Sequence, residues 1–323
     1  MLGKVSVGAL MLESPDVVSL VYEATSQIPK GMVSTYGDIA KALGDVRASR
    51  AVGEILSKNP TPIVVPCHRV VYSDGKVGWY SGKGKNSDKK ITLLESEGVE
   101  IKNGSIENFS SVRFAEFNIP NVLKQLRDEQ EEIREHVVEE DDFGVLRHVV
   151  GLDVSYIGER SFGVAAVYSL ENNELVEIKK VECSVRFPYI PTYLSYREAP
   201  VFSKLIDVKD AIYLVDGHGL LHPRAGIASH LGVLCNVPTI GAAKSLLYGH
   251  VESPESNRSE ITIDGKISGI ALKEGRSATY VSVGHRVSLN TATELCIRFL
   301  CHGIPLPLRT AHNEATLARK RAT

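Results

Sequence analysis

The residues most able to do chemistry fall in two separate places. In the first, Pro66-Cys67-His68-Arg69 sets a thiol beside an imidazole, and an acid, Glu97, follows on a predicted helix. A thiolate is the strongest common side-chain nucleophile, but a free thiol titrates near ~8.5 and needs an activating neighbour. These residues alone leave two readings open: an activated nucleophile, or a small buried hydrophobe beside an exposed histidine. In the second place, Asp153 lies inside the apolar run Val149-Val-Gly-Leu-Asp-Val-Ser-Tyr156. Glu198 lies in Tyr-Arg-Glu-Ala-Pro and Asp216 in Leu-Val-Asp-Gly-His-Gly. A carboxylate in a buried strand is costly unless it is paired or binds a cation. Three carboxylates at strand ends suit a hard divalent cation. A pair of such ions can activate water and stabilise the leaving oxygen in phosphodiester cleavage. Any one of the three acids alone is equally a cap or a turn residue.

Periodicity and capping predict the elements that position these groups. Residues 16–28 form an amphipathic helix capped by Ser14 or Asp16 and ended by Pro29 and Gly31. A short helix over 36–43 stops at Gly44, and Asp45 opens another over about 47–57, stopped by Asn59-Pro60. Two short helices about a glycine turn make a helix-turn-helix pattern. The proline-broken run 61–72 carries Cys67, residues 77–85 form a loop, and 88–98 return to helix. Asn, Gly and Ser then accumulate, so a linker is expected at 105–118. Residues 119–142 predict a long charged helix. Strands over 148–156, 162–170 and 175–185 predict an antiparallel meander. A strand over 211–215, a helix over about 226–233 and a strand at 239–241 follow. The expected fold class is α/β overall: a mostly helical helix-turn-helix domain at 1–104, then an α/β domain with a mixed sheet at 119–323.

Bulk properties bound the function. A length of 323 residues favours two domains. No run approaches the ~18 apolar residues of a membrane helix, and the first residues lack a cleavage-site pattern, so neither a membrane span nor a signal peptide is expected. The cysteines are Cys67, Cys183, Cys235, Cys296 and Cys301, an odd number with no Cys-x-x-Cys pair. That argues against a disulfide framework and a zinc site, and for a reducing cytoplasm. Net charge is −2, and nine carboxylates fall between residues 128 and 142. DNA binding therefore has to use local patches and helix ends rather than a global field.

Residues 16–98 resemble the active-site domain of O6-alkylguanine-DNA alkyltransferases. The resemblance is carried by Ser34-Thr-Tyr-Gly-Asp-Ile-Ala40, Arg50-Ala-Val-Gly53, Asn59-Pro60, Pro66-Cys-His-Arg-Val70, Val77-Gly-Trp-Tyr-Ser-Gly82 and Leu94-Glu-Ser-Glu-Gly98. It implies a single-turnover transfer of an alkyl group to Cys67, with no cofactor. Glu97 would orient His68, which takes the Cys67 proton through a water. Arg50 would fill the gap left by an extruded guanine, and Tyr36 would assist its flipping. Asn59 would support the active-site turn, and Tyr80 and Ser81 would hold the base edge. Trp79 departs from the family pattern as a large residue in the substrate loop. A sister group has Trp in place of the nucleophile and only binds lesions; Cys67 argues for transfer.

Residues 119–310 resemble endonuclease V. The matching segments are Gly151-Leu-Asp-Val-Ser-Tyr156, Pro188-Tyr-Ile-Pro-Thr-Tyr-Leu-Ser-Tyr-Arg-Glu198, Asp216-Gly-His-Gly-Leu-Leu-His-Pro-Arg224, Ala228-Ser-His-Leu-Gly-Val233, Pro238-Thr-Ile-Gly-Ala-Ala-Lys244 and Gly284-His-Arg-Val287. The implied fold is ribonuclease-H-like. The implied reaction is cleavage of the second phosphodiester 3′ to hypoxanthine, with uracil or xanthine as further lesions. Asp153, Glu198 and Asp216 would hold Mg2+, for which Mn2+ substitutes, with His285 near the metals. Lys244 would offset charge at the scissile phosphate. Pro188, Tyr189, Ile190 and Pro191 would form a wedge between strands, and His222 would lie near the flipped base or the phosphates. Thr192 stands where a glycine is usual, and the segment between Arg224 and Ala228 is one residue short.

Together these resemblances predict a bifunctional DNA-repair enzyme, cytoplasmic and monomeric, acting on damaged double-stranded DNA. Two alternatives stay open. The first domain is only a lesion-binding module that delivers the nuclease, or the nuclease acts on inosine in single-stranded DNA or RNA.

Overall fold

Asp16 caps the first helix, α1 (Val17–Ser26), by accepting from the Ser19 amide. Thr35 and Asp38 close a reciprocal capping box on α2 (Tyr36–Ala42). Between them lies a two-residue strand, β1 (Ser34–Thr35). Asp45 caps a 3-10 turn (Val46–Ala48) that leads into α3 (Ser49–Ser57). The computed structural model describes residues 14–80 and 87–322. The predicted helix-turn-helix is present as α2 and α3. The chain next forms a 3-10 turn (Cys67–Arg69), β2 (Val70–Val71), α4 (Ser87–Ser96), β3 (Ile101–Lys102), β4 (Ser105–Ile106) and α5 (Phe109–Val112). β1 pairs with β2 in parallel, so the nucleophile candidate sits immediately before a strand anchored to the start of α2.

Two compact units divide the chain: Pro15–Leu126 with Arg186–Pro191, and Arg127–Val185 with the chain from Thr192. The expected linker at 105–118 differs from this division, because those residues are folded into the first unit. Ile106 joins Val33, Val71, Val77, Leu94 and Val99 in its core. Val33 donates to Val112 O at 2.8 Å and accepts from the Phe114 amide at 2.7 Å. Arg113 grips Asp38 with two bonds of 2.9 and 2.6 Å. The polar composition that suggests a linker is satisfied here by hydrogen bonds.

The expected helix over 119–142 is shorter, α6 (Val122–Glu135). Beyond it the acids serve as local partners. Asp141 accepts from the Ser288 amide at 2.7 Å and from Thr291 Oγ1 at 2.6 Å. The three meander strands are β5 (His148–Ile157), β6 (Arg160–Ser169) and β7 (Leu175–Ser184). They are followed by α7 (Leu194–Phe202), β8 (Ala211–Val215), α8 (Ile227–Cys235) and β9 (Thr239–Ala243). Then come β10 (His250–Val251), β11 (Arg258–Ile263), β12 (Lys266–Glu274), β13 (Ser277–His285), α9 (Leu289–Arg298) and α10 (Leu306–Arg321).

One mixed nine-stranded sheet has the order β10-β11-β12-β13-β9-β8-β5-β6-β7. Only β5–β8 and β8–β9 pair in parallel. Alternation splits the apolar residues between two faces. Val149, Ile212 and Leu214 pack with Ala292, Cys296, Leu308 and Ala311 of α9 and α10. Val150, Leu152, Tyr213 and Val215 pack with Ala199, Phe202, Ala228 and Leu231 of α7 and α8. Gly151 is required for this sandwich: a Cβ there would lie 2.2 Å from the Pro307 carbonyl carbon, so only glycine lets α10 cross β5 so closely.

Candidate functional site

In the first unit, a cavity of about 610 Å³ is lined by Tyr36, Arg50, Cys67, Tyr72, Trp79 and Tyr80 among others. Cys67 is nearly buried, and Asn59 Nδ2 lies 3.3 Å from its sulfur. The same amide nitrogen donates to Val65 O at 2.9 Å, and Asn59 Oδ1 accepts from the Thr61 amide at 3.0 Å. Asn59 thus closes the turn that carries the cysteine and offers its sulfur a donor. His68 Nε2 lies 2.9 Å from Glu97 Oε1. Arg69 holds both Glu97 oxygens at 2.8 Å each and donates to Ile28 O at 2.7 Å. Burial pushes the Glu97 carboxyl up, yet hydrogen bonds from Arg69 and His68 outweigh it and hold the pKa at about 2. Glu97 holds Nε2 of the imidazole, and His68 Nδ1 is buried with no partner among the described residues.

Tyr36 begins α2 with its ring centroid 5.9 Å from that of Tyr72; burial, then Tyr72 and Cys67, push its phenol up to about 12. Arg50 is exposed on α3 beside the cavity. Tyr80 is 6% exposed. Ser81 lies outside the described residues. One group went unnoticed in the sequence: Lys90 of α4 is 1% exposed and donates to Val70 O at 2.6 Å. Burial pushes its ammonium down to about 8. A lysine on a charged helix gives no sign of such burial in sequence.

In the second unit, the parallel strands β5, β8 and β9 bring three groups to one edge. Leu152 pairs with Val215, so the following residues, Asp153 and Asp216, are neighbours. Lys244 follows β9 and reaches Asp216 Oδ2 at 2.5 Å. Glu198 was expected at a strand end; the structure places it on α7, where Pro200 and a buried face had masked the helical pattern. Its carboxyl is 8% exposed, and burial, Asp153 and Asp216 push it up to about 8. Tyr156 Oη donates to Glu198 Oε1 at 3.4 Å, and Arg197 lies 4.1 Å from the Tyr156 ring centre. Burial and Asp216 likewise raise Asp153.

His312 is a residue the sequence did not point to. Its Nδ1 lies 2.7 Å from Asp153 Oδ2, and its ligand atom, with those of Asp153 and Asp216, falls within 4.8 Å of the others. Asp153 has the strand parity of Val149 and Gly151, which face α10. The apolar spacing of Leu308, Ala311 and Ala315 marks the helix but not the strand it meets. Two carboxylates and an imidazole this close together, beside the buried Glu198, are a donor set that a divalent cation fits, because it offsets the repulsion between the acids.

His285 was expected near the metals, and the register corrects this. β13 runs antiparallel to β9 and pairs His285 with Thr239, whereas Lys244 and Asp216 follow the other ends of β9 and β8. His285 Nδ1 accepts from the Val138 amide at 3.2 Å, and burial pushes its pKa down to about 4. His222 is also internal: Nδ1 accepts from the Arg224 amide at 3.1 Å, and burial, then Arg224, push it to about 3.

In the expected wedge segment, Tyr189 is 58% exposed, Ile190 is buried, Pro188 is half-buried and Pro191 is exposed. Thr192 has φ +71, a conformation that L residues, β-branched ones above all, avoid. It is held there by Arg224 Nη2 on Oγ1 at 2.9 Å and Gln130 Nε2 on its carbonyl at 3.0 Å; Arg224 Nε in turn donates to Gln130 Oε1 at 2.8 Å.

Residues 131–313 match the family model described as Endonuclease V. Residues 16–99 match the one described as 6-O-methylguanine DNA methyltransferase, DNA binding domain. A bifunctional methyltransferase/endonuclease of Picrophilus torridus is 39% identical over 310 residues, spanning 96% of this chain and 99% of the relative. One from Thermoplasma volcanium is 37% identical over 302 residues, 93% and 90% of the two chains. Among solved structures, Ciona intestinalis Endonuclease V, in complex with a 24mer DNA containing an inosine followed by a ribo-adenosine, matches with TM-score 0.57. Its identity is 28%, over 62% of this chain and 98% of that one.

Proposed function

The chain belongs to the bifunctional methyltransferase/endonuclease family, and from that premise we propose how each unit works and on what. The first unit transfers one alkyl group from O6-alkylguanine in DNA to Cys67. The second cuts DNA in a magnesium-dependent reaction at the second phosphodiester 3′ to hypoxanthine, with uracil and xanthine as further lesions. The observation supporting this is that each unit holds a reacting set of its own. One is a thiol lining a cavity of about 610 Å³; the other is Asp153 and Asp216 with His312, beside buried Glu198.

In the first unit the damaged guanine leaves the stack at a cost of a few kcal/mol. Arg50 occupies the gap, and Tyr36 and Tyr80 hold the base beside Cys67. His68, fixed through Nε2 by Glu97, takes the thiol proton at Nδ1 through a water. The sulfur then bonds to the alkyl carbon as the bond to O6 breaks. The thioether is stable, so each molecule acts once and no cofactor is needed. In the second unit Asp153, Glu198 and Asp216 would hold the metal, with His312 against Asp153. When bound there, Mg2+, or Mn2+ in its place, would supply activation of water and offset of negative charge. Lys244 turns from Asp216 to the scissile phosphate. Exposed Tyr189 separates the strands, with Thr192 as the fixed joint behind it. Five free cysteines suit a reducing cytoplasm, where the chain acts as a monomer. Among the described residues, no helix is long and apolar enough to cross a membrane.

Two labelled duplexes test this, one with O6-methylguanine and one with hypoxanthine, each with and without magnesium. Label moving to protein without the metal, and nicking only with it, is the expected result. Nicking without transfer would leave the first unit as a lesion-binding module. A second reading, cleavage at inosine in RNA, is favoured by the ribo-adenosine in the Ciona complex; faster cutting of an inosine-containing RNA would replace the DNA reading.

A further inference from the structure

Arg113 lies beyond residue 99, where the match to the methyltransferase family model ends, yet its side chain reaches back to the start of the helix that carries Tyr36. The backbone brings it there, because Val33, just before β1, bridges Arg113 in parallel register. The guanidinium grips Asp38 at two points, Nε on Oδ2 at 2.9 Å and Nη2 on Oδ1 at 2.6 Å. A planar fork of this kind fixes the orientation of a carboxylate as well as its position. Asp38 passes the constraint on. Its Oδ2 accepts from Thr35 Oγ1 at 2.8 Å, and its amide donates to Thr35 Oγ1 at 3.0 Å. Thr35 is the N-cap of α2 and Tyr36 is the first residue of that helix. The Asp38 side chain is 4% exposed, and Arg113 reaches it from the surface, 40% exposed. Burial pushes the Asp38 carboxyl up, but the bonds from Arg113 and Thr35 outweigh it and hold it below the usual carboxylate range. The capping box already closes the start of α2 from within. What Arg113 adds is a fixed setting for the carboxylate that closes it. Tyr36 has little slack of its own: an added Cβ at Gly53 of α3 would lie 3.7 Å from two of its ring carbons, and the Tyr72 ring centroid is 5.9 Å away.

We infer that Arg113 is a positioning residue for the transfer: through Asp38 and Thr35 it sets the first turn of α2, and with it the place where Tyr36 meets the extruded guanine. The inference rests on the transfer reading of Cys67, with Tyr36 as a contact of the base. Arg113 touches no reacting atom in it. A base entering the cavity presses on the Tyr36 ring, and the load falls on the turn that Asp38 closes. With Arg113 in place that turn is tied to the backbone at Val33; without it the turn rests on its own cap alone. A shift of about 1 Å in a group that orients the reacting partner is enough to cost a large factor in rate.

The test is single-turnover transfer by the full chain from a duplex carrying O6-methylguanine. Arg113→Ala should slow it ~10-fold, as loss of a hydrogen bond to a charged group does, and Arg113→Lys, which keeps one donor on Asp38, should slow it less. Tyr36→Ala should also slow transfer, and in that background Arg113→Ala should change the rate less than about 2-fold, because the two residues act through one contact. Asp38→Asn combined with Arg113→Ala removes the buried charge that the single variant leaves without its arginine, and should be as slow as Arg113→Ala, which separates misplacement from unfolding. Alkylation of Cys67 by iodoacetamide, read on the Cys67 peptide by mass spectrometry, needs no extruded base and should be unchanged by Arg113→Ala. Equal slowing by Arg113→Ala with and without Tyr36, slowing of the iodoacetamide reaction along with transfer, or no slowing at all overturns the inference. A wild-type chain that accepts no methyl group defeats the reading of Cys67 itself, and the inference with it.

Discussion

The two sites are put together differently. In the first unit, His68 and Glu97 are 29 positions apart, and Asn59, Cys67, His68 and Arg69 lie in one continuous stretch. In the second, Asp153 and His312 are 159 positions apart and meet only because α10 crosses β5 at Gly151. A site built locally carries its geometry in its own turn and capping residues. A site built by topology depends on strand order, on parity and on which helix covers which face.

The strongest way to break this contrast is to remove one centre and read the other. Cys67→Ser should abolish alkyl transfer and leave nicking of a hypoxanthine duplex unchanged; Asp153→Asn should do the reverse. Loss of both activities in either folded variant would mean that the units are coupled. Next in size, His312→Ala should lower nicking about 10–100-fold, as removal of a ligand's partner does, with rescue in part by raised magnesium. An unchanged rate would make His312 a bystander to Asp153.

How much of this was legible follows the same contrast. The helix-turn-helix, the Cys67 turn and the Glu97 helix announce themselves through caps, glycines and prolines that act within a few residues. Asp153 and Asp216 stand out as acids in apolar strands. Glu198 stands out too, but its helix does not, because Pro200 and a mostly buried face erase the periodicity. His312 and His285 show the limit. Both are histidines near apolar runs, and only the register of β13 and the path of α10 decide which one reaches the acids. The polar stretch at 105–118 misleads for the opposite reason, since its hydrogen bonds to Val33 and Asp38 make it part of a fold.

Smaller effects sharpen the comparison through stability. Thr192→Val keeps the strained backbone and loses the bond from Arg224, and should cost about 1.5–3 kcal/mol. Thr192→Gly loses the same bond but relieves strain of about 1–3 kcal/mol, so its net change should stay within about 1 kcal/mol. Thermal unfolding of the two variants reads the difference, and a glycine variant as unstable as the valine one would show that no strain is held at Thr192. In the first unit Glu97 is one acid-sensitive element. Its pKa is lowered from 4.5 to about 2 in the folded chain. Its stabilisation is therefore fully present above pH ~4.5 and fades as pH falls towards about 2. Glu97→Gln should flatten that part of the acid-unfolding profile; an unaltered profile would assign the acid sensitivity to other carboxylates.

The crossing of α10 over β5 also fixes an order of events during synthesis. The first unit's long N-terminal segment is complete by Leu126, whereas the cluster of Asp153, Asp216 and His312 waits for His312. At the usual rates of chain elongation, that interval is roughly 10–40 s. Throughout it, Asp153 and its neighbours are an unfinished set facing a strand surface that Leu308, Ala311 and Ala315 help to cover. A nascent or truncated chain lacking α10 therefore carries Cys67 and its partners without a finished Asp153–Asp216–His312 cluster.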